Sequence, residues 1–177
     1  MPTGIRYDLM AVRAHADAAP RRGPLRGLLG KLGSRETTVE SILDGLHAQG
    51  WLVVHGVETP EGRIDHIAVG PAGVFAVSTR AVAGRISIEK IDERSYTEPF
   101  ALARRVEAAI GRKVTPVLVY SRARLSRPVS RQRGVVVVTA KTLAGHLLRR
   151  RTRLTQAEVN SLYLQVAGTR WGSAPAA

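Results

Sequence analysis

The stretch GRIDHIAVGPAGVFAVSTR, residues 62–80, decides the fold of this chain. Two runs rich in valine, isoleucine and alanine flank a Gly-Pro-Ala-Gly turn, a pattern that predicts two strands joined as a hairpin. Asp65 lies within the apolar run of the first strand. Ser78 and Arg80 end the second strand two residues apart, so we expect their side chains to lie on one face of the sheet.

The sequence on either side of this hairpin predicts alternating helices and strands. A helix is predicted at residues 34–49, with Ser34 as its N-cap, Glu36 on its apolar stripe and Gly50 at its end. Strands are predicted at residues 51–57, 63–69, 74–80, 85–88, 114–120 and 135–139, with a basic loop at residues 121–133. Further helices are predicted at residues 98–110, with Gly111 as a C-cap, at residues 142–150, and at residues 155–166, where residues 155–158 form a capping-box pattern. This order predicts an α/β fold, a mixed sheet with helices on its faces.

We expect a single domain at residues 34–168. Residues 1–33 show no sustained periodicity and are predicted to form a basic, weakly ordered arm, and residues 169–177 a flexible tail. The absence of cysteine excludes disulfides and thiolate metal ligands. No apolar run approaches the roughly 18 residues of a membrane span, and no secretory signal is recognisable, so we expect a cytoplasmic protein without membrane contact. The preference for arginine over lysine indicates a GC-rich bacterial genome.

The positive charge is concentrated in one segment. The formal net charge is +13, and residues 101–153 hold fourteen basic residues and one acid, Glu107, so this segment accounts for the whole surplus. A regional field of this kind favours a polyanion, above all nucleic acid, over a merely solubilising surface. The predicted phosphate contacts are Arg104, Arg105, Arg112, Lys113, Arg122, Arg124, Arg127, Arg131 and Arg133. Residues 149–153 add a second basic cluster.

The kind of nucleic acid is indicated by what accompanies the arginines. Aromatic residues make up 5% of the chain and few lie among the arginines, which disfavours a stacking platform for single strands. Contacts to the phosphates of duplex DNA are therefore expected, with Arg104 and Arg112 on one face of their helix. No sequence-reading motif is present, so binding is expected to be non-specific and dependent on salt.

Several short motifs around the hairpin form a recognisable set. They are Glu36, Gly50-Trp51, Ile64-Asp65-His66, Gly70-Pro71-Ala72-Gly73-Val74-Phe75 and Gly84, followed by the apolar runs at residues 114–119 and 134–138. With them, residues 35–148 resemble the nuclease-related domain (NERD) family of the PD-(D/E)XK superfamily. The resemblance implies a restriction-endonuclease-like mixed sheet flanked by helices. It also implies a site in which Asp65, with Glu36 nearby, faces a Glu-x-Lys motif on the next strand.

The residues at the motif positions depart from the family. Ser78 replaces the motif glutamate, Arg80 replaces the motif lysine, and Leu102 stands where a glutamine is frequent. A serine hydroxyl is a poor Mg²⁺ ligand, and a guanidinium cannot act as a base although it can hold a phosphate. We therefore predict a catalytically impaired nuclease fold, a pseudoenzyme that requires no cofactor. If it is active, Asp65 and Glu36 would bind Mg²⁺ or Mn²⁺ weakly.

The site residues also have structural explanations. Asp65 shares a predicted strand face with Ile67, where an unpaired charge is costly, and a salt bridge to Arg80 would neutralise it. His66 is predicted to be a hydrogen-bonded core histidine. Glu36 is equally well explained as an acid that complements the helix dipole. The other histidines show no ligand spacing, so no zinc site is expected.

Three functions are compatible with these observations. The first is a non-catalytic, nuclease-derived module that binds DNA phosphates through its arginine-rich face. The second is an active metal-dependent endonuclease in which Glu40 or Glu89 replaces the missing ligand. The third is a protein-interaction or regulatory domain whose charge serves solubility or an acidic partner. Cleavage and binding assays on DNA separate the three.

Overall fold

A computed structural model describes residues 38–171 of the chain. The predicted arm at residues 1–33, together with Ser34 and Glu36, lies outside the described residues. Within the described range, the strands are β1 (Leu52–Thr59), β2 (Gly62–Gly70), β3 (Gly73–Ile86), β4 (Val114–Leu125), β5 (Val129–Gln132) and β6 (Val135–Thr139). The helices are α1 (Val39–Asp44), α2 (Arg94–Ile110), α3 (Ala140–Leu148) and α4 (Gln156–Gly168).

The strands form one mixed sheet in the order β1-β2-β3-β4-β6-β5. β1, β2 and β3 are an antiparallel meander, whereas β4 runs parallel to both β3 and β6. The edge strand β5 pairs antiparallel with β6. This sheet, flanked by helices, confirms the predicted α/β fold class.

Helices cover both faces of the sheet. α1 and α3 pack on one face, which we call the α1–α3 face, against a core that includes Trp51 and Phe75. α2 and α4 pack on the opposite face, the α2–α4 face, against residues such as Ile67 and Val74. Neighbouring residues of a strand therefore alternate between two apolar cores, as Val74 and Phe75 do. Within residues 38–171, no helix is long and apolar enough to cross a membrane.

The two central strands extend further than the sequence predicts. β3 runs on to Ile86, so the separate strand predicted at residues 85–88 is wrong. β4 runs to Leu125 and β5 follows, so the predicted loop at residues 121–133 is largely strand. The extended ends pair with each other after a register shift between Arg80 and Ala83. Most of their side chains are exposed, and so they lack the apolar run that marks a buried strand.

The helices confirm some predicted ends and correct others. α1 is capped by Thr38, whose Oγ1 accepts a hydrogen bond from the N–H of Ser41 at 3.1 Å, and not by Ser34. α2 begins at Arg94 rather than at residue 98, and it ends before Gly111, which adopts the predicted left-handed conformation with a φ of 63°. α4 opens with the capping box predicted at residues 155–158.

Trp51 and Gly70 fix the turn between β2 and β3. A Cβ atom at Gly70 would lie 2.1 Å from Cδ2 of Trp51, so glycine is required beneath the indole. The indole is buried, and its centroid lies 5.6 Å from that of Phe75. At the other end of the chain, Trp171 packs partly buried against the α2–α4 core and donates from Nε1 to the carbonyl of Val166 at 3.2 Å. Residues 172–177 of the predicted tail lie outside the described residues.

Candidate functional site

β2 and β3 separate at Asp65. Their pairing ends at His66 and Val77. Further along β3, the N–H of Thr79 donates to Oδ2 of Asp65 at 2.7 Å. The carboxylate therefore takes the place of a strand partner for this backbone N–H. This contact gives Asp65 a structural role, whatever else the residue does.

An irregularity in β1 and β2 changes the face to which Asp65 belongs. Gly56 has a φ of 65°, and the pairing of β1 with β2 skips Gly56 and Asp65. As a result Ile64 joins Ile67 in the α2–α4 core, although the two residues are an odd number of positions apart. The prediction that Asp65 shares a strand face with Ile67 is wrong. Asp65 instead lines a cleft together with His66.

The cleft is open and lies beside α1. Its volume is about 570 Å³, and the residues that line it include Thr38, Glu40, His55, Asp65, His66 and Thr79. Ser78 and Arg80 are not among the lining residues. Of the predicted motif residues that the structure describes, the cleft therefore contains Asp65, together with groups from α1 and β1.

Ser78 and Arg80 share a face, as predicted, but it is the α2–α4 face. Ser78 is 7% exposed and pairs in register with Leu118, which is buried there. Arg80 forms an ion pair with Glu98 of α2. Because Asp65 accepts from a backbone N–H and Arg80 pairs with Glu98, the predicted salt bridge between Asp65 and Arg80 is wrong.

The described motif residues do not fit a Mg²⁺ or Mn²⁺ site. Such an ion takes several oxygen ligands, usually with two carboxylates among them. The motif supplies the carboxylate of Asp65, one oxygen of which already accepts an N–H. Ser78 is neutral and buried, and Arg80 adds a positive charge. Glu36, the predicted second ligand, lies outside the described residues, and we derive no catalytic step through a metal at these positions.

The remaining candidates for the site lie in different surroundings. Leu102 is 1% exposed in the α2–α4 core and has only packing contacts to offer. Glu89 is exposed and faces Arg127 at 3.6 Å, and a hydrogen bond from Ser87 lowers its pKa. Of the two acids considered as replacement ligands, Glu40 is the one that lines the cleft.

Two histidines in the cleft form a contact that the sequence spacing does not reveal. His55 of β1 and His66 of β2 are paired in register, with their Nδ1 atoms 2.7 Å apart. Nε2 of His55 lies 3.0 Å from Oδ1 of Asp44. The pKa of His66 is lowered, first by burial and then by His55, against an opposite effect of nearby carboxylates. His66 is hydrogen-bonded, as predicted, and strand register supplies its partner, but it is only partly buried and lines the open cleft, so the predicted core position is wrong.

The basic residues predicted to contact phosphate are spread along and beyond α2. Several of them lie against carboxylates, namely in the pairs Arg104–Glu107, Arg105–Glu61, Arg112–Glu158, Arg127–Glu89 and Arg133–Glu93. Arg133 pairs with Glu93, the residue before α2, and Arg112 lies beyond the other end of α2. The 17 residues between them span about 25 Å. Because α2 ends at Ile110, the prediction that Arg104 and Arg112 share a helical face is wrong.

A second group of arginines comprises one residue of β5 and four residues that follow α3. We call residues Arg131, Arg149, Arg150, Arg151 and Arg153 the α3 arginine cluster, and within the described range none of them has an ion pair with a carboxylate. The segment after α3 is fixed by the N–H groups of Arg153 and Leu154, which donate to the carbonyl of Pro71 at 2.7 and 3.0 Å.

Two observations bring Arg131 and Arg150 to the same side of the sheet. Arg131 of β5 pairs in register with Val136, whose side chain lies in the α1–α3 core. Cζ of Arg150 lies 5.4 Å from the ring centroid of Phe75, a residue of the same core. Burial lowers the pKa of Arg150, and the charges of Arg153 and Arg131 lower it further. These cations therefore lie close enough to repel one another.

The comparison with protein families places the chain in a class. A model of the nuclease-related domain, NERD, matches residues 31–139. The match covers more than half of the chain, and the chain therefore belongs to the NERD family, as its motifs predict. The PD-(D/E)XK superfamily assignment follows from the family. Comparisons with curated proteins and with solved structures gave no match.

Proposed function

We propose that this protein is a nuclease-related domain that binds the phosphates of duplex DNA and does not cleave them. The family supports an association with nucleic acid. The observation that carries the proposal is the α3 arginine cluster. The charges of Arg131 and Arg153 act on Arg150, and none of the five arginines has a carboxylate partner among the described residues. A phosphate backbone is the polyanion whose oxygens suit their forked donors.

The distribution of charge supports this surface over the one predicted from sequence alone. Acids from α2, α4 and the connecting segments neutralise Arg104, Arg112 and Arg133. Phosphate binding at those arginines has to compete with an existing ion pair, whereas the α3 arginine cluster has no such competitor within the described chain. Its contacts carry no base information, so we expect binding that is non-specific and decreases steeply with salt.

The loss of cleavage is supported by the motif positions. Asp65 and the Ser78–Arg80 pair line different faces of the sheet, and Arg80 is held by Glu98. The motif positions alone therefore do not place two carboxylates at a reacting phosphate, although Glu40 lines the cleft with Asp65. Without two carboxylates at the motif positions, no metal ion is held there to stabilise the negative charge that develops on the phosphate during hydrolysis.

The binding proposal is tested with two triple variants that remove equal charge. One replaces Arg149, Arg151 and Arg153 by alanine, and the matched control replaces the paired residues Arg112, Arg127 and Arg133. Affinity for a fluorescent duplex is measured in EDTA between about 50 and 200 mM NaCl. We expect the first variant to bind at least about tenfold more weakly, with a salt slope smaller by about two to three, and the control to change much less.

Equal losses in the two variants would show that net charge, and not the α3 arginine cluster, determines binding. If the native protein shows no affinity even at the lowest salt concentration, the interaction-domain hypothesis replaces this one. Nicking of supercoiled plasmid with Mg²⁺ or Mn²⁺ tests the second part of the proposal. Nicking that disappears in Asp65→Asn, which keeps an acceptor for the N–H of Thr79, would identify a working nuclease instead.

A further inference from the structure

We propose that Glu40, Asp44 and His55 form a binding site for one divalent transition-metal ion, with Zn²⁺ as the best-suited ion. The site is separate from the motif positions Ser78 and Arg80. It is also independent of the DNA-binding proposal, because it uses other residues on other elements. Sequence spacing alone does not reveal the site, because Glu40 and Asp44 lie on α1 whereas His55 lies on β1.

The geometry fits one ion. A carboxylate oxygen of Glu40, one of Asp44 and a ring nitrogen of His55 all lie within 4.8 Å of one another. Glu40 and Asp44 are four residues apart on α1 and so lie on one side of the helix. Around a tetrahedral ion with ligands at about 2.0–2.2 Å, ligand atoms lie about 3.4 Å apart. Small side-chain rotations are therefore sufficient to bring the three atoms to ligand distance.

His55 is oriented as zinc-binding histidines are. The Nδ1 atom of a ligating imidazole usually has a hydrogen-bond partner, which fixes the ring and its tautomer. His66 supplies this partner for His55, with the two Nδ1 atoms 2.7 Å apart. When His55 donates from Nδ1, its Nε2 lone pair faces Oδ1 of Asp44 at 3.0 Å. In the other tautomer a proton lies on Nε2, and ion binding requires Nδ1 to take up a proton as Nε2 releases its own, so that the imidazole stays neutral.

The cleft beside the site has room for water around an ion, and Glu40 and His55 both line it. The cleft is open, so water can complete the coordination of an ion held by three protein ligands.

The ligand set also determines the class of ion. An imidazole nitrogen with two carboxylates suits Zn²⁺ and its first-row neighbours, whereas Mg²⁺ and Ca²⁺ prefer oxygen ligands alone. The carboxylates of Glu40 and Asp44 supply two negative charges in a chain whose net charge is +13. Asp65 lines the adjoining cleft and adds a third, against one positive charge from Arg63, which also lines the cleft and pairs with Glu58. This part of the surface therefore attracts a cation even though the chain as a whole repels one.

The test is a titration of the EDTA-treated, full-length chain with ZnCl₂ by calorimetry. We expect one ion per chain with a dissociation constant in the micromolar range. Glu40→Gln and His55→Gln should each weaken binding by at least about tenfold. Controls are Glu89→Gln and His146→Gln, which remove the same groups elsewhere and should leave binding unchanged. Co²⁺ should give visible absorption bands in the native chain that are lost in His55→Gln.

Several outcomes would overturn the proposal. The proposal fails if Zn²⁺ binding is not saturable, or if binding survives in both Glu40→Gln and His55→Gln. It also fails if Asp65→Asn is the one variant in which binding is lost. Circular dichroism of each variant confirms folding. Because Glu40 is exposed, Glu40→Gln keeps the test decisive if His55→Gln unfolds. DNA binding in EDTA is measured separately, so the two proposals fail independently.

Discussion

Asp65 provides both a hydrogen-bond acceptor and a negative charge, and one substitution series separates the contributions of the two to stability. Asp65→Ala leaves the partly buried N–H of Thr79 without an acceptor, and we expect the free energy of unfolding to fall by about 1–3 kcal/mol. Asp65→Asn keeps an oxygen for that N–H and should cost clearly less. Urea unfolding of the three proteins measures both effects. Equal losses in the two variants would mean that the negative charge, and not the acceptor, stabilises the strand ends.

The sequence indicates which residues belong to the site better than it indicates their partners. The i, i+2 spacing correctly puts Ser78 and Arg80 on one face, and the apolar run correctly puts Asp65 in β2. It does not show that Arg80 pairs with Glu98, because that acid lies on a helix 18 residues further along. The break in alternation at Gly56 is likewise invisible, since its cause is a backbone conformation and not a side-chain pattern.

The hairpin of β2 and β3 depends on a contact between two of the sequence motifs. Gly70→Ala places a methyl group against the indole of Trp51, and we expect it to destabilise the protein by about 1–3 kcal/mol. Gly145→Ala is the matched control, because nothing lies within 4 Å of its added Cβ atom. Alanine within α3 should stabilise that helix by up to about 1 kcal/mol. Thermal unfolding of both variants shows whether the signs are opposite.

The elements that the sequence predicts well are those with a strong local signal. β6 has the boundaries predicted at residues 135–139, and the capping box of α4 is present at Thr155 and Glu158. The exposed ends of β3 and β4 are missed because each is stabilised chiefly by pairing with the other. Such pairing joins residues about 40 positions apart and leaves no periodic pattern in either segment.

For the molecule as a whole, His66 makes stability depend on pH. The folded state lowers the pKa of His66 below its ordinary value of about 6.5, so the unfolded chain binds this proton more tightly. The contribution is complete above that value and is lost as the pH falls through it. We expect the melting temperature in EDTA to decrease from about pH 7 to about pH 5.

The variant His66→Gln should show a shallower decrease over the same range. Some slope should remain, because burial and then Arg150 also lower the pKa of His146. His47→Gln is the control, since this exposed histidine lies outside the pair of His55 and His66. A slope that is identical in the native chain and in His66→Gln would contradict the assignment.

The two tryptophans of the chain lie in the apolar layers on opposite sides of the sheet. Trp51 is buried with Phe75 beneath α1 and α3, and Trp171 is partly buried against the α2–α4 core. Intrinsic fluorescence therefore contains two reporters, one for each layer. When Trp171 is replaced by phenylalanine, the remaining emission comes from Trp51 and reports on the α1–α3 core. When Trp51 is replaced, the emission comes from Trp171 and reports on the α2–α4 core. In a partly unfolded state, the two variants would therefore show which side of the sheet has lost its packing.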